Sequence, residues 1–210
     1  MIVFGITGGT GAGKTSALRV LAELGAYLID CDALYYEMLR PGTALHEDIG
    51  TAFGRDMFDA SGALNRQKLG SLVFSAPQEL QRLNGIIYSH LGAEIDARLA
   101  QQRGARCAAV DGINMLQARA AGAFRCDCMV GVIAPDALRL RRIMARDHIS
   151  EEYAKKRIDA QPGSDFYREH CDAVLENVYD STTVFEQAVK VFFEDLLSLY
   201  ESKKEKEDHV

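Results

Sequence analysis

Short apolar runs bounded by turn signals recur along the chain, at residues 2–6, 26–29, 107–110, 128–134 and 173–175. Between them the apolar positions recur at helical spacing. Strands alternating with helices in this way predict an α/β fold with a parallel five-stranded sheet and helices on both faces. In such a sheet, ligands bind beyond the carboxyl ends of the strands, so polar residues at those ends are the first to inspect.

One connection is too long for a simple crossover. Between Asp30 and Arg106 the pattern predicts helices at 33–39, 44–53, 66–74 and 77–102, broken at Pro41-Gly42 and at the turn Asp59-Ala60-Ser61-Gly62. This reads as a helical substrate-binding insertion, residues 33–105, within a nucleotide-binding core formed by 1–32 and 106–200. A further helix is expected from about Pro135, leading into an irregular region at 145–168. Arg139, Arg141, Arg142, Arg146, Lys155, Lys156 and Arg157 concentrate positive charge there. Two readings stand: a solvated charged face, or a mobile lid that brings cations to a bound polyphosphate. The tail 201–210 alternates charge without apolar anchors and is expected to be frayed and flexible.

The most specific signal follows the first strand. Gly8-Gly9-Thr10-Gly11-Ala12-Gly13-Lys14-Thr15 matches the phosphate-loop pattern G-x-x-x-x-G-K-[ST], with a helical segment directly behind it. Glycines let successive N–H groups turn inward around phosphate oxygens, and the helix N-terminus adds its dipole. Residues Thr10, Gly11, Ala12, Gly13, Lys14, Thr15 and Ser16 are therefore the expected nucleotide-binding set. Lys14 would reach the β- and γ-phosphates and the Thr15 hydroxyl would ligate Mg²⁺.

Acids and arginines complete the candidate list. Asp30 and Asp32 follow the second expected strand. If a helix begins at Cys31, Asp30 becomes its cap; otherwise it is available to a magnesium-bound water or the substrate. Asp32 is the preferred general base. Asp111, directly after the third strand, either joins the magnesium shell or starts a turn. Arg142 and Arg146 share a helix face, which fits contact with ATP during transfer and equally fits a salt-bridged surface helix. Phosphoryl transfer depends on positioning and charge neutralisation, which is why arginines count here beside the base.

Composition narrows the classes. The 210 residues carry a formal net charge of -6, with 48% hydrophobic and 26% charged residues, an ordinary globular balance that argues against a nucleic-acid partner. No stretch reaches the apolar length needed to span a bilayer, so a cytoplasmic protein without a membrane partner is expected. Five cysteines without a C-x-x-C pair fit neither a disulfide framework nor a zinc site.

Taken together, these residues resemble the dephospho-CoA kinase family over nearly the whole chain, from Gly5-Ile6-Thr7-Gly8-Gly9-Thr10 to Leu175-Glu176-Asn177. Ile29-Asp30-Cys31-Asp32 is similar to the family's D-x-D segment, in which the second acid is the base. Phe53-Gly54, Gly62-Ala63-Leu64-Asn65-Arg66 and Val73-Phe74 resemble its substrate-domain signature. The resemblance implies a P-loop NTPase-type fold in which ATP phosphorylates the ribose 3′-hydroxyl of dephospho-CoA. It places Asp30, Asp32 and Arg66 at the acceptor, Asn177 near the adenine of ATP, and Arg139 to Arg146 and Ala160-Gln161 in and around the lid. Two departures are visible: Tyr88-Ser89 stands where the family commonly has His-Pro, and Gln117 or Ala118 where it has an acid. Another small-molecule or nucleoside monophosphate kinase of the same fold, or a nucleotide-binding regulator without turnover, are the rival readings.

Overall fold

The computed structural model describes residues 1–102, 104–112 and 114–207. Its strands are β1 (Ile2–Gly8), β2 (Ala26–Asp30), β3 (Cys107–Asp111), β4 (Cys128–Ile133) and β5 (Ala173–Glu176), in the sheet order β2-β3-β1-β4-β5. β1 is central: Gly5 lies opposite Val110 of β3 on one side and Met129 of β4 on the other, both pairings parallel. All six residues of β4 are buried, so both faces of the sheet are covered. The order of strands reverses at β1, which makes its carboxyl end the switch point where a ligand crevice opens. The phosphate loop leaves from that end.

Two compact units divide the chain. The first comprises Met1–Ile29, Gln102–Leu116 and Arg125–Val210. Its core gathers Phe4 and Ile6 of β1, Leu21 of α1 (Lys14–Glu23) and Phe185, Val189 and Phe193 of α10 (Thr182–Glu207). Phe4 meets Phe193 edge to face at 5.5 Å, a favoured aromatic geometry. This unit also holds α7 (Asp136–Asp147), α8 (Glu151–Asp159) and α9 (Ser164–His170).

Two expectations for this unit are corrected. Residues 145–168 are largely helical: α7 closes at His148 with φ 52°, and α8 starts on Ser150, whose hydroxyl accepts the Tyr153 amide. The tail is helical through Glu207 rather than frayed from 201. Glu201 takes both Nε and Nη2 of Arg106, at 2.7 and 2.9 Å, and Lys204 lies 3.0 Å from Asp127, so ion pairs anchor a segment that has no apolar ones. Residues 208–210 lie outside the described residues.

The second unit comprises Asp30–Gln101 and Gln117–Phe124. Its helices are α2 (Cys31–Met38), α3 (Ala44–Phe53), α4 (Arg66–Ser75) and α5 (Pro77–Gln101), with the short α6 (Met115–Ala120) running into it. Leu39, Leu45, Ile49, Phe53, Leu69, Val73 and Leu83 form a separate core. The expected insertion, 33–105, differs at both edges and lacks 117–124, which belong here because the Ala123 carbonyl packs directly on Gly92 of α5. The turn at 59–62 is held by Asp59, whose carboxylate accepts the amides of Ser61 and Ala63 at 2.8 and 3.1 Å.

Candidate active site

In the first unit, β1 ends at Gly8 and the loop passes into α1 at Lys14. Gly13 caps the helix with φ 114°, a left-handed conformation that side chains rarely adopt, and a Cβ there would meet Asn177 Nδ2 at 2.5 Å. The first-turn amides of α1 have no partners within the helix, which suits this end to an anion. Lys14 Nζ lies 2.6 Å from Asp111 Oδ1 at the end of β3, with both side chains mostly shielded from water. Thr15 is exposed in the same helical turn. Lys14, Thr15 and Asp111 thus lie around the switch point.

Helix α7 lies against the loop through three arginines. Arg139 is 3% exposed; its Nε donates to the Thr10 carbonyl at 2.9 Å and its Nη2 to Gln161 Oε1 at 3.0 Å. The same Gln161 oxygen accepts the Thr10 amide at 2.8 Å. Thr10 is therefore gripped by its own backbone on both polar groups, and what it offers a ligand is its hydroxyl. Arg142 donates to the Gly11 carbonyl at 3.2 Å, to Asn177 Oδ1 at 3.0 Å and to the Tyr179 carbonyl at 2.6 Å. Burial holds its pKa below the ordinary arginine value. Arg146 reaches toward Thr10 Oγ1 at 3.5 Å and is paired by Nε with Asp147 Oδ1 at 2.6 Å. Arg157 of α8 takes the other oxygen of Asp147. Those two arginines, Arg146 foremost, keep the Asp147 carboxyl far below the usual carboxylate range.

Asn177 closes the far end of the loop. It is 3% exposed, and its Nδ2 donates to the Ala12 carbonyl at 2.9 Å. Together with Gly13, Ser16, Arg142, Asp180, Ser181 and Phe185 it lines a cleft of about 190 Å³ beside the loop.

The remaining candidates belong to the second unit. Helix α2 begins at Cys31, so Asp30 is the cap: its Oδ1 accepts the amides of Asp32 and Ala33, each at 2.9 Å. That decides between the two readings of Asp30 and leaves Asp32 exposed in the first turn with its carboxylate outside the cap. Arg66, the first residue of α4, lies with its guanidinium 4.1 Å over the Tyr36 ring and 5.9 Å from that of Tyr35. Tyr88 is half-buried in α5, and burial pushes its hydroxyl pKa up.

A family model, dephospho-CoA kinase, matches residues 2–183. The chain belongs to the dephospho-CoA kinase family. A dephospho-CoA kinase of Geobacter metallireducens is 34% identical over 194 residues, spanning 92% of this chain and 96% of that protein. One from Streptomyces avermitilis is 36% identical over 177 residues, 84% of this chain and 85% of the relative. Among solved structures, a Thermus thermophilus protein superposes with a TM-score of 0.73 at 28% identity, covering 93% of this chain and 97% of that one. The dephospho-CoA kinase from Campylobacter jejuni, with TM-score 0.53 and 21% identity, shares the fold.

Within this dephospho-CoA kinase framework the sequence placed Arg139 and Arg157 only among the cations of the lid region and gave Asp147 no role. Arg139 had a signal: it stands four residues before Ile143, on the one stripe of α7 that is buried. Asp147 and Arg157 had none, because their meeting depends on how α7 and α8 fold back on each other.

Proposed function

We propose that this chain transfers the γ-phosphoryl group of ATP to the ribose 3′-hydroxyl of dephospho-CoA, giving coenzyme A and ADP. The observation that carries the reading is a phosphate loop whose three carbonyls, at Thr10, Gly11 and Ala12, are held by Arg139, Arg142 and Asn177, in a chain of the dephospho-CoA kinase family.

In this reading the loop amides and Lys14 receive the triphosphate, and the charge on Lys14 passes from Asp111 to the β- and γ-phosphates. Ser16 and Asn177 border the base. Arg142 has its donors committed to the loop and to Tyr179, so it acts as the wall of the base cleft. Arg146, the exposed one of the three arginines on the loop, reaches Thr10 Oγ1 while Asp147 holds its Nε and Nη2; it is the arginine that follows the migrating phosphoryl group. Asp32 accepts the proton of the acceptor hydroxyl. Asp30 supports it from the cap, and Arg66 takes an acidic group of the acceptor.

The donor set suits Mg²⁺. Thr15 and Asp111 offer hard oxygens, and among the described residues no three His, Cys, Asp or Glu side chains gather to hold an ion alone, which fits a metal carried in by the nucleotide. Thr15 and Asp111 would hold the ion, which would supply positive charge to offset that of the phosphates. Among the described residues no helix is long and apolar enough to cross a membrane, and a cytoplasmic setting fits a reaction fed by ATP.

ADP release, coupled to a reporter and measured with dephospho-CoA against a panel of nucleoside monophosphates, tests the reading. Preference for dephospho-CoA supports it; preference for a mononucleotide, or ATP binding without turnover, overturns it.

A further inference from the structure

Tyr36 has no part in the reading so far, yet its surroundings are unusual. It is 56% exposed on α2, and the Arg66 guanidinium lies over its ring at 4.1 Å. Tyr35, beside it, packs against the core of the second unit and stands 5.9 Å from the same guanidinium. An exposed arginine ordinarily samples many rotamers; one laid on an aromatic face has a preferred plane. A guanidinium held over a ring has its charge centred there and keeps N–H groups for an acceptor, and such a fork can take two oxygens of a phosphate at once.

Spacing along α2 supplies the second observation. Tyr36 is four residues beyond Asp32, so both lie on one face of the helix, about 5–6 Å apart along it. In dephospho-CoA the 3′-hydroxyl and the 5′-diphosphate sit on opposite ends of a single ribose, a span of the same order. An anion-binding fork held over Tyr36 is therefore one sugar away from a base at Asp32.

We propose that Tyr36 is a positioning residue: it holds the Arg66 guanidinium over its ring, one helical turn beyond Asp32, so that the guanidinium takes the acceptor's diphosphate while the ribose 3′-hydroxyl meets Asp32. This rests on the acceptor assignment above and adds to it the device that orients the acceptor. Tyr36 touches no reacting atom. Its influence runs through Arg66, and it acts on acceptor affinity rather than on the chemical step.

A double-mutant cycle read as separate KM and kcat values for dephospho-CoA tests this. Tyr36→Ala is expected to raise KM about tenfold with kcat within about twofold, the scale of losing one oriented, charge-assisted contact. Tyr36→Phe keeps the ring and should stay within about twofold of the parent, and Arg66→Lys keeps the charge yet should behave as Tyr36→Ala does. Tyr36→Ala combined with Arg66→Ala should raise KM no further than Arg66→Ala alone. An unchanged KM in Tyr36→Ala, or fully additive effects of the two alanines, overturns the positioning role while leaving the function standing. A parent chain that phosphorylates another acceptor and not dephospho-CoA overturns both.

Discussion

Lys14 and Asp111 stand 2.6 Å apart, opposite in charge and partly shielded, so the cation that a triphosphate needs has an internal counter-ion. A ligand that brings several negative charges shifts this pairing, and Asp111 is then available beside the phosphates. Lys14→Ala removes the charge and is expected to weaken ATP binding and to lower turnover together. Asp32 carries a different kind of contribution. Because Asp30 alone caps α2, Asp32→Asn leaves the helix start intact; it should hold ATP affinity within a few-fold and lower turnover by roughly 10² or more, the scale of a general base. Titration calorimetry for ATP beside steady-state rates on both variants checks the pair: full turnover in Asp32→Asn removes the base assignment. The loop was legible in the sequence because its chemistry resides in backbone conformation, and glycines announce that. Asp30 was half legible, since a shift of one residue in the helix start decides its role. Arg139 was legible only in part: its place four residues before Ile143 marks the inner side of α7, but its partners on the loop leave no local trace in a run of arginines.

At the scale of elements, α7 governs the site. It presents a buried face of Arg139 and Ile143 to the loop and carries Arg142 and Arg146 on the adjoining face. The Arg139 guanidinium is bonded to Thr10, Gln161 and Asp136 at once, so it joins the loop, the segment after α8 and the start of its own helix. Arg139→Ala leaves the Thr10 carbonyl without its buried partner and the Gln161 oxygen with the Thr10 amide alone, a loss of roughly 1–3 kcal/mol. The expected outcome is a lower unfolding temperature that ATP only partly restores, and a KM for ATP raised at least about tenfold. Arg139→Lys should not rescue it, since a single ammonium cannot replace three directed donors. Thermal unfolding with and without ATP, beside KM, measures this; an Arg139→Ala chain with parental KM and stability would contradict it. The helices of this region were poorly legible. Residues 145–168 are short and polar, and α8 and α9 owe their order to a serine cap and to packing rather than to a long apolar stripe. The last turns of α10 are held by Arg106 and Asp127, residues far away along the chain.

For the whole molecule, alternation of apolar runs and helical spacing made the parallel sheet legible, because each strand buried on both faces shows as a continuous apolar run. Its order, with β1 between β3 and β4, was not, since pairing between distant segments leaves no local trace. The insertion was legible from the length of one connection. Its edges were not, because 117–124 join it through space at Gly92. Function follows the same division. The proposed donor half of the reaction is spelled out in one contiguous loop, whereas the proposed acceptor half is distributed over α2 and α4. The most direct test therefore concerns the acceptor: dephospho-CoA is turned over with ATP and the product analysed by phosphorus NMR for the position of the new phosphate. The account predicts a single phosphomonoester on the ribose 3′-oxygen, with stoichiometric ADP. A phosphate on another hydroxyl, or ADP formed without a phosphorylated acceptor, would contradict it.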